Sequence, residues 1–335
     1  MPRVPPLWLG AMAAALVVSA AFATPFALSP DVSAAAAVAP VSEPVSAVRR
    51  LPPAAPTPGK PAEFGPGTPA GDSSQVHLTV SGRQRSYVLL PGLGLRPAEP
   101  AGLLVVLHHD VATARDVATD LGLDGLRREG VTIAYPAGIG GSWNAGACCG
   151  DASDLGVDDV GFVNTVLDDV GRHTPIDPTR RALLGYSGGG MLLYRILCRP
   201  HPPLVAAVEV NGSLEAHCSS AIALPNLLSV HGADDGTVGL ETSNHVKRLG
   251  LAPRSVRSTL AAVTSRGGCS TSAGALGTGL RRYADCTGGT HVDVEIVPDA
   301  GHGWEDVGGA ARSLAFLRPH LTRPHARAAG DQSLR

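Results

Sequence analysis

Gly185-Tyr186-Ser187-Gly188-Gly189 sets one serine among small residues in a G-x-S-x-G pattern. A serine on a sharp strand-to-helix turn can act as a nucleophile. Small neighbours let the two backbones crowd together, and the hydroxyl then projects above the sheet edge. The Gly188 N–H, at the start of the following helix, points to where an oxyanion would form. Such a serine needs a base, and the base needs an orienting carboxylate. Asp299-Ala300-Gly301-His302-Gly303-Trp304 offers one histidine on a loop, and His302 is the expected base. His231-Gly232-Ala233-Asp234-Asp235-Gly236-Thr237-Val238 offers two acids, and residue types alone leave Asp234 and Asp235 both open. The chemistry implied is acyl transfer through a covalent intermediate.

These residues must sit at the ends of regular elements. Val76–Val80 and Ser86–Leu90 read as a hairpin, and Leu103–Leu107 as a strand covered on both faces. A helix is predicted from Ala112 to Arg128, a strand at 131–134, and a helix from Val160 to Val170. The strand Arg181–Leu184 enters the serine turn, and a helix follows from Gly189 to Leu197. Strands at 205–210, 227–230 and 292–297 and a final helix at 307–317 complete the alternation. The pattern predicts an α/β fold with a mostly parallel sheet and helices on both faces, in one catalytic domain over 74–321. Both candidate loops then lie at carboxyl ends of strands, where sites gather in open α/β sheets.

The 27 basic and 29 acidic residues give a net charge of −2 with only two lysines, Lys60 and Lys247, so no clustered positive face for nucleic acid is expected. Residues 1–23 carry an early Arg3, an apolar run and Ala21-Phe22-Ala23, the pattern of a cleaved export signal. Left uncleaved, the same segment would be the one route to a membrane. Residues 24–73 are rich in Pro and Ala and read as a disordered linker, and 322–335 as a flexible tail. Six cysteines suit an oxidising compartment, with Cys269 and Cys286 the expected pair. Adjacent Cys148 and Cys149 lack zinc-ligand spacing, and no metal is expected. Asp158, Asp159, Asp168 and Asp169 read as a solvated helix face rather than a calcium site. Trp143 and Trp304 fall beside candidate site residues in an aromatic-poor chain, which predicts that they line the site together with His108.

Leu107-His108, Trp143-Asn144-Ala145-Gly146-Ala147-Cys148-Cys149-Gly150, Val157–Phe162, Gly185–Met191, His231–Val238 and Gly301–Trp304 occur in this order. Together they resemble the polyhydroxybutyrate depolymerase-like esterases, a group that includes feruloyl and acetyl-xylan esterases. The W-N-x-G-x-C-C-G block is far more specific than G-x-S-x-G. The resemblance implies an α/β-hydrolase fold, exported ester hydrolysis and no cofactor. It also implies Ser187 as nucleophile, Asp235 as orienting acid and His302 as base. Two departures stand out: His109 replaces the usual Gly after His108, and Gly239 replaces a usual Pro. The second oxyanion donor is then expected from the His109 backbone N–H. The expected partner is a small or oligomeric ester met by a monomer. With only a short tail after Leu321, soluble esters are expected over solid polyester. The alternative is a catalytically silent member of the fold that binds ligands in the cell envelope.

Overall fold

Apolar runs with period two build the sheet, and its two faces collect separate cores. The computed structural model describes residues 73–218, 221–277 and 279–323. The expected export signal, most of the linker and most of the tail lie outside the described residues. In chain order the elements are β1 (Ser74–Val80), β2 (Arg83–Leu90), β3 (Ala101–Leu107), α1 (Ala114–Asp120), α2 (Asp124–Arg128), β4 (Val131–Pro136), α3 (Gly150–Asp154) and α4 (Asp159–Asp169). There follow β5 (Ile176–Tyr186), α5 (Gly188–Leu197), β6 (Ala206–Val210), β7 (Asn226–Gly232), α6 (Val256–Arg266), β8 (Gly274–Ala275), β9 (Leu280–Tyr283), β10 (Val292–Val297) and α7 (Gly309–Leu321).

The ten strands form one sheet in the order β1-β2-β4-β3-β5-β6-β7-β10-β9-β8. The run from β4 to β10 is parallel, and antiparallel pairs flank it at both edges. Alternation along β3 explains the layering. Leu103, Val105 and Leu107 enter the core under α4, α5 and α6, while Leu104 and Val106 enter the core under α1, α2 and α7. This is the mostly parallel sheet with helices on both faces that the strand-helix alternation predicts.

Three expectations need correction. The predicted helix 112–128 is two helices, because Gly122 at φ +67° turns the chain after α1. The last helix starts at Gly309, after Gly308 in the left-handed region, and runs on through Pro319 to Leu321. The four aspartates are not one solvated face. Asp159 is fully buried and paired with Arg85 at 2.7 Å, and buried Asp169 accepts from Tyr87 Oη at 2.8 Å. Asp158 and Asp168 are the two exposed members: Asp168 pairs with Arg181, and Asp158 caps α4 through the Gly161 N–H. Residue type gave no hint of the buried partners Arg85 and Tyr87, which come from β2.

α6, β8 and β9 are absent from the sequence reading. α6 buries a stripe of Val256, Thr259, Leu260, Val263 and Thr264, but two of these are polar by type, and β8 and β9, at two and four residues, are too short to show a period.

Candidate active site

The chain leaves β3 toward β4 on one side and later returns as β5 on the other. The crevice between the carboxyl ends of β3 and β5 is therefore a topological switch point, where open α/β sheets place ligands. Ser187 stands there, at φ 54° and ψ −119°, between the end of β5 and the start of α5. Holding a serine at positive φ is strained, and the surroundings enforce it. The Ser187 N–H donates to Val210 O at 2.8 Å. A Cβ at Gly185 would come within 2.3 Å of Gly189 O, and one at Gly189 within 2.2 Å of Leu107 O. Both glycines are thus required by backbone contact, which explains the pattern around the serine.

Three expected residues meet. Ser187 Oγ lies 2.8 Å from His302 Nε2, and His302 Nδ1 lies 2.8 Å from Asp235 Oδ2. Asp235 Oδ1 accepts from the N–H groups of Thr237 and Val238, at 2.7 and 2.9 Å. With that oxygen occupied, Oδ2 is left to the imidazole. The donor on that side is Nδ1–H, so Nε2 presents its lone pair to the serine. Asp234 is exposed, and its backbone N–H bonds Ala300 O instead. Between the two acids, Asp235 is the one at the histidine.

The histidine loop is held by residues the sequence reading passed over. His302 O accepts from Tyr186 Oη and from Asn211 Nδ2, each at 2.9 Å. Asn211 also accepts from the Gly232 N–H at 3.0 Å, so it ties β6, β7 and the His302 loop together. Beneath it, Glu209 is fully buried, with Oε2 at 2.9 Å from Tyr194 Oη, 2.9 Å from Ser229 Oγ and 3.0 Å from His231 Nε2. Its other oxygen accepts from the Gly212 N–H. A single acid inside the apolar run of β6 is the signal that would have found it.

On the oxyanion side the expectations divide. Gly188 is the first residue of α5, and His109 lies in the loop after β3. Among the described residues no hydrogen bond engages either backbone N–H. The His109 imidazole packs on Tyr186 at 5.1 Å and donates from Nδ1 to Asp110 O.

His108 and Trp143 do not line the site. Both are fully buried and stack at 4.5 Å, with Trp143 Nε1 donating to His108 O at 2.8 Å. His108 donates from Nδ1 to His109 O and accepts from the Gly138 N–H at Nε2. Burial lowers its pKa to about 4, so the ring is neutral and acts as a brace under the loop after β3. Trp304 is also buried and packs on Tyr186 at 5.6 Å, touching the site through that ring rather than as open wall. Aromatic type drew attention to these positions, but their size placed them in the core.

The W-N-x-G-x-C-C-G block is likewise a brace. The Asn144 N–H donates to Asp159 at 2.7 Å, and Arg195 of α5 reaches the Asn144 carbonyl and side chain. The cysteines are paired as Cys148–Cys149, Cys198–Cys218 and the expected Cys269–Cys286. A groove of about 740 Å³ lies between α6 and β9–β10, and none of Ser187, Asp235 and His302 lines it.

No protein-family model matches the chain. It is similar to NocK of Nocardia uniformis subsp. tsuyamanensis, named as a candidate esterase, with 33% identity over 179 residues covering 49% of this chain and 51% of that protein. It is also similar to feruloyl esterase C of Emericella nidulans, with 25% identity over 163 residues covering 47% of this chain and 57% of that protein. The chain thus matches about half the length of these curated relatives. Among solved structures, an acetyl xylan esterase from Aspergillus awamori superposes with a TM-score of 0.54 at 13% identity, over 74% of this chain and 99% of the other. A prolyl endopeptidase superposes with a TM-score of 0.51 at 14% identity, over 75% of this chain and 38% of the other. At such identities the structures speak for the fold alone. With a serine turn at the switch point of a mostly parallel sheet, this chain has the α/β-hydrolase fold and is related in sequence to proteins named as esterases.

Proposed function

We propose that the chain is a serine carboxylic-ester hydrolase. The observation that carries this reading is the Ser187–His302–Asp235 chain of 2.8 Å hydrogen bonds. The esterase names of the two sequence relatives support it. In the reaction His302 Nε2 takes the Ser187 proton as Oγ attacks the ester carbonyl. Asp235 holds the tautomer and stabilises the imidazolium. The N–H groups of Gly188 and His109 face the oxyanion. His302 then gives its proton to the leaving alcohol, and water resolves the acyl-enzyme by the same route.

The substrate class proposed is a soluble ester of the feruloyl, acetyl or hydroxybutyrate-oligomer type. The name of the Emericella nidulans relative puts feruloyl esters first. Export to an oxidising compartment is proposed with it, supported by the three paired cysteines and the leader-like first residues. Turnover of p-nitrophenyl acetate by pure protein, followed by methyl ferulate, acetylated xylan and hydroxybutyrate oligomers, tests the reading. Ser187→Ala is expected to lose about 10⁴-fold or more in kcat. Equal turnover by Ser187→Ala would overturn it.

A further inference from the structure

Asp110 has no part in the reaction described above, yet it stands inside the site. It follows His109 in the loop after β3 and is only 7% exposed. Neither carboxyl oxygen has a hydrogen-bond partner among the described residues. Arg248 Nη1 comes to 3.8 Å from Oδ2, a loose ion pair beyond hydrogen-bond reach, on a half-exposed side chain. A buried carboxylate without donors is costly. A group kept in that state holds a proton or awaits a donor.

Its position decides what it faces. The carboxyl lies so close to Gly188 that a Cβ there would sit 2.4 Å from Oδ1 and 2.7 Å from Oδ2. Gly188 is the residue after Ser187, and its N–H is the expected oxyanion donor. The Asp110 carboxyl therefore fills the space that a side chain at 188 would take, on the wall of the serine turn. An ionised carboxylate at this wall would repel the oxyanion that the Gly188 N–H stabilises. A neutral acid would do the opposite.

Resting on the esterase reading above, we infer that Asp110 acts as a neutral carboxylic acid and donates its O–H to the ester carbonyl oxygen as that oxygen becomes the oxyanion. No bond to the proton breaks: it stays on Asp110 throughout. The hydrogen bond strengthens as charge develops, so it lowers the barrier rather than only tightening binding. Apolar sites elsewhere keep carboxylic acids neutral for the same task.

The surroundings are consistent with a retained proton. Burial raises the pKa of Asp110 and outweighs the charges facing it. Those are Arg248 from the loop before α6, His109 from its own loop and His302 from the loop after β10, all of which lower it. As pH rises the acid ionises and the donor is lost, so activity should fall on the high-pH side of that ionisation.

The test compares wild type, Asp110→Asn and Asp110→Ala on p-nitrophenyl acetate and butyrate from about pH 5 to 10. Thermal melts and stoichiometric labelling of Ser187 by a phosphonate report folding. Asp110→Ala is expected to lose about 10²-fold in kcat with KM within about threefold. Asp110→Asn keeps a neutral donor, so it should lose no more than about tenfold and should lack that high-pH fall. The inference is overturned if Asp110→Ala stays within about threefold of wild type, or if Asp110→Asn drops as far as Asp110→Ala while folded. Identical high-pH limbs in wild type and Asp110→Asn would overturn it too, and would also settle the matter if Asp110→Ala does not fold. Ser187→Ala, run alongside, separates the two claims. If it is inactive and the Asp110 variants are indifferent, only this inference falls. If it is active, the esterase reading falls.

Discussion

Asn211 holds His302 by its backbone rather than by its ring: Asn211 Nδ2 donates to His302 O at 2.9 Å. The asparagine itself sits at φ 51°, a conformation it tolerates better than most residues. Asn211→Gly keeps that backbone and removes the amide. Because Tyr186 Oη still reaches the same carbonyl, the loop should loosen rather than detach. We expect kcat for p-nitrophenyl acetate to fall about tenfold with KM little changed, and stability to drop by about 1–2 kcal/mol. Unchanged kcat would mean that Tyr186 alone fixes the loop.

The two neighbouring acids should separate cleanly. Asp235→Asn leaves the imidazole with the wrong hydrogen-bond partner and should lower kcat by about 10³–10⁴. Asp234 is exposed, and its role here runs through its backbone, so Asp234→Asn should stay within about threefold. Steady-state kinetics of both variants on one ester checks this. The reverse ranking would move the orienting role to Asp234.

His108 gives stability a pH dependence of predictable sign. Its folded pKa is pushed down to about 4, whereas an unfolded imidazole titrates near about 6.5. Below about pH 6.5 the unfolded chain takes up a proton that the folded chain refuses. Stability then falls as pH drops toward about 4, by up to about 3 kcal/mol from this residue, and the contribution is flat above pH 7. Buried Asp110 and Asp159, with raised pKa values, act in the opposite sense. They cancel in a comparison of His108→Gln with wild type. Urea midpoints at about pH 7, 5.5 and 4.5 should show the variant weaker at neutral pH but less sensitive to acid. Parallel slopes would refute the assignment.

Trp143→Phe tests the brace under the loop after β3. The ring volume is largely kept, but the Nε1–H bond to His108 O is lost. A cost of about 1–2 kcal/mol in chemical denaturation is expected, with KM unchanged across acyl chain lengths. A KM that shifts with chain length would instead make Trp143 a substrate contact.

The strands and the reactive side chains were legible because each leaves a local mark. β3 is an apolar run and β5 ends in one, Ala182-Leu183-Leu184, while Ser187 sits among glycines that backbone contacts require and His302 lies between two glycines. Asn211, Tyr186 and Asp110 leave no such mark. Their roles arise only when β3, β5, β6 and β7 pair in register and bring residues tens of positions apart to one carbonyl or one amide. Trp143 and His108 show the converse: type and sequence neighbourhood pointed to the site, but exposure is decided by packing depth, which one chain segment does not encode.

Glu209 has a consequence for how the molecule fails. This one buried carboxylate of β6 collects hydrogen bonds from α5, β7 and the loop at Gly212, directly below the serine turn. Losing any of these partners leaves a buried polar group short of a hydrogen bond in the core. The platform of the site should therefore belong to the last cooperative unit to open, not to a fraying rim. On slow heating, catalytic activity and near-ultraviolet circular dichroism should vanish along one superimposable curve. Amide hydrogens of β6 and β7 should exchange only through global opening.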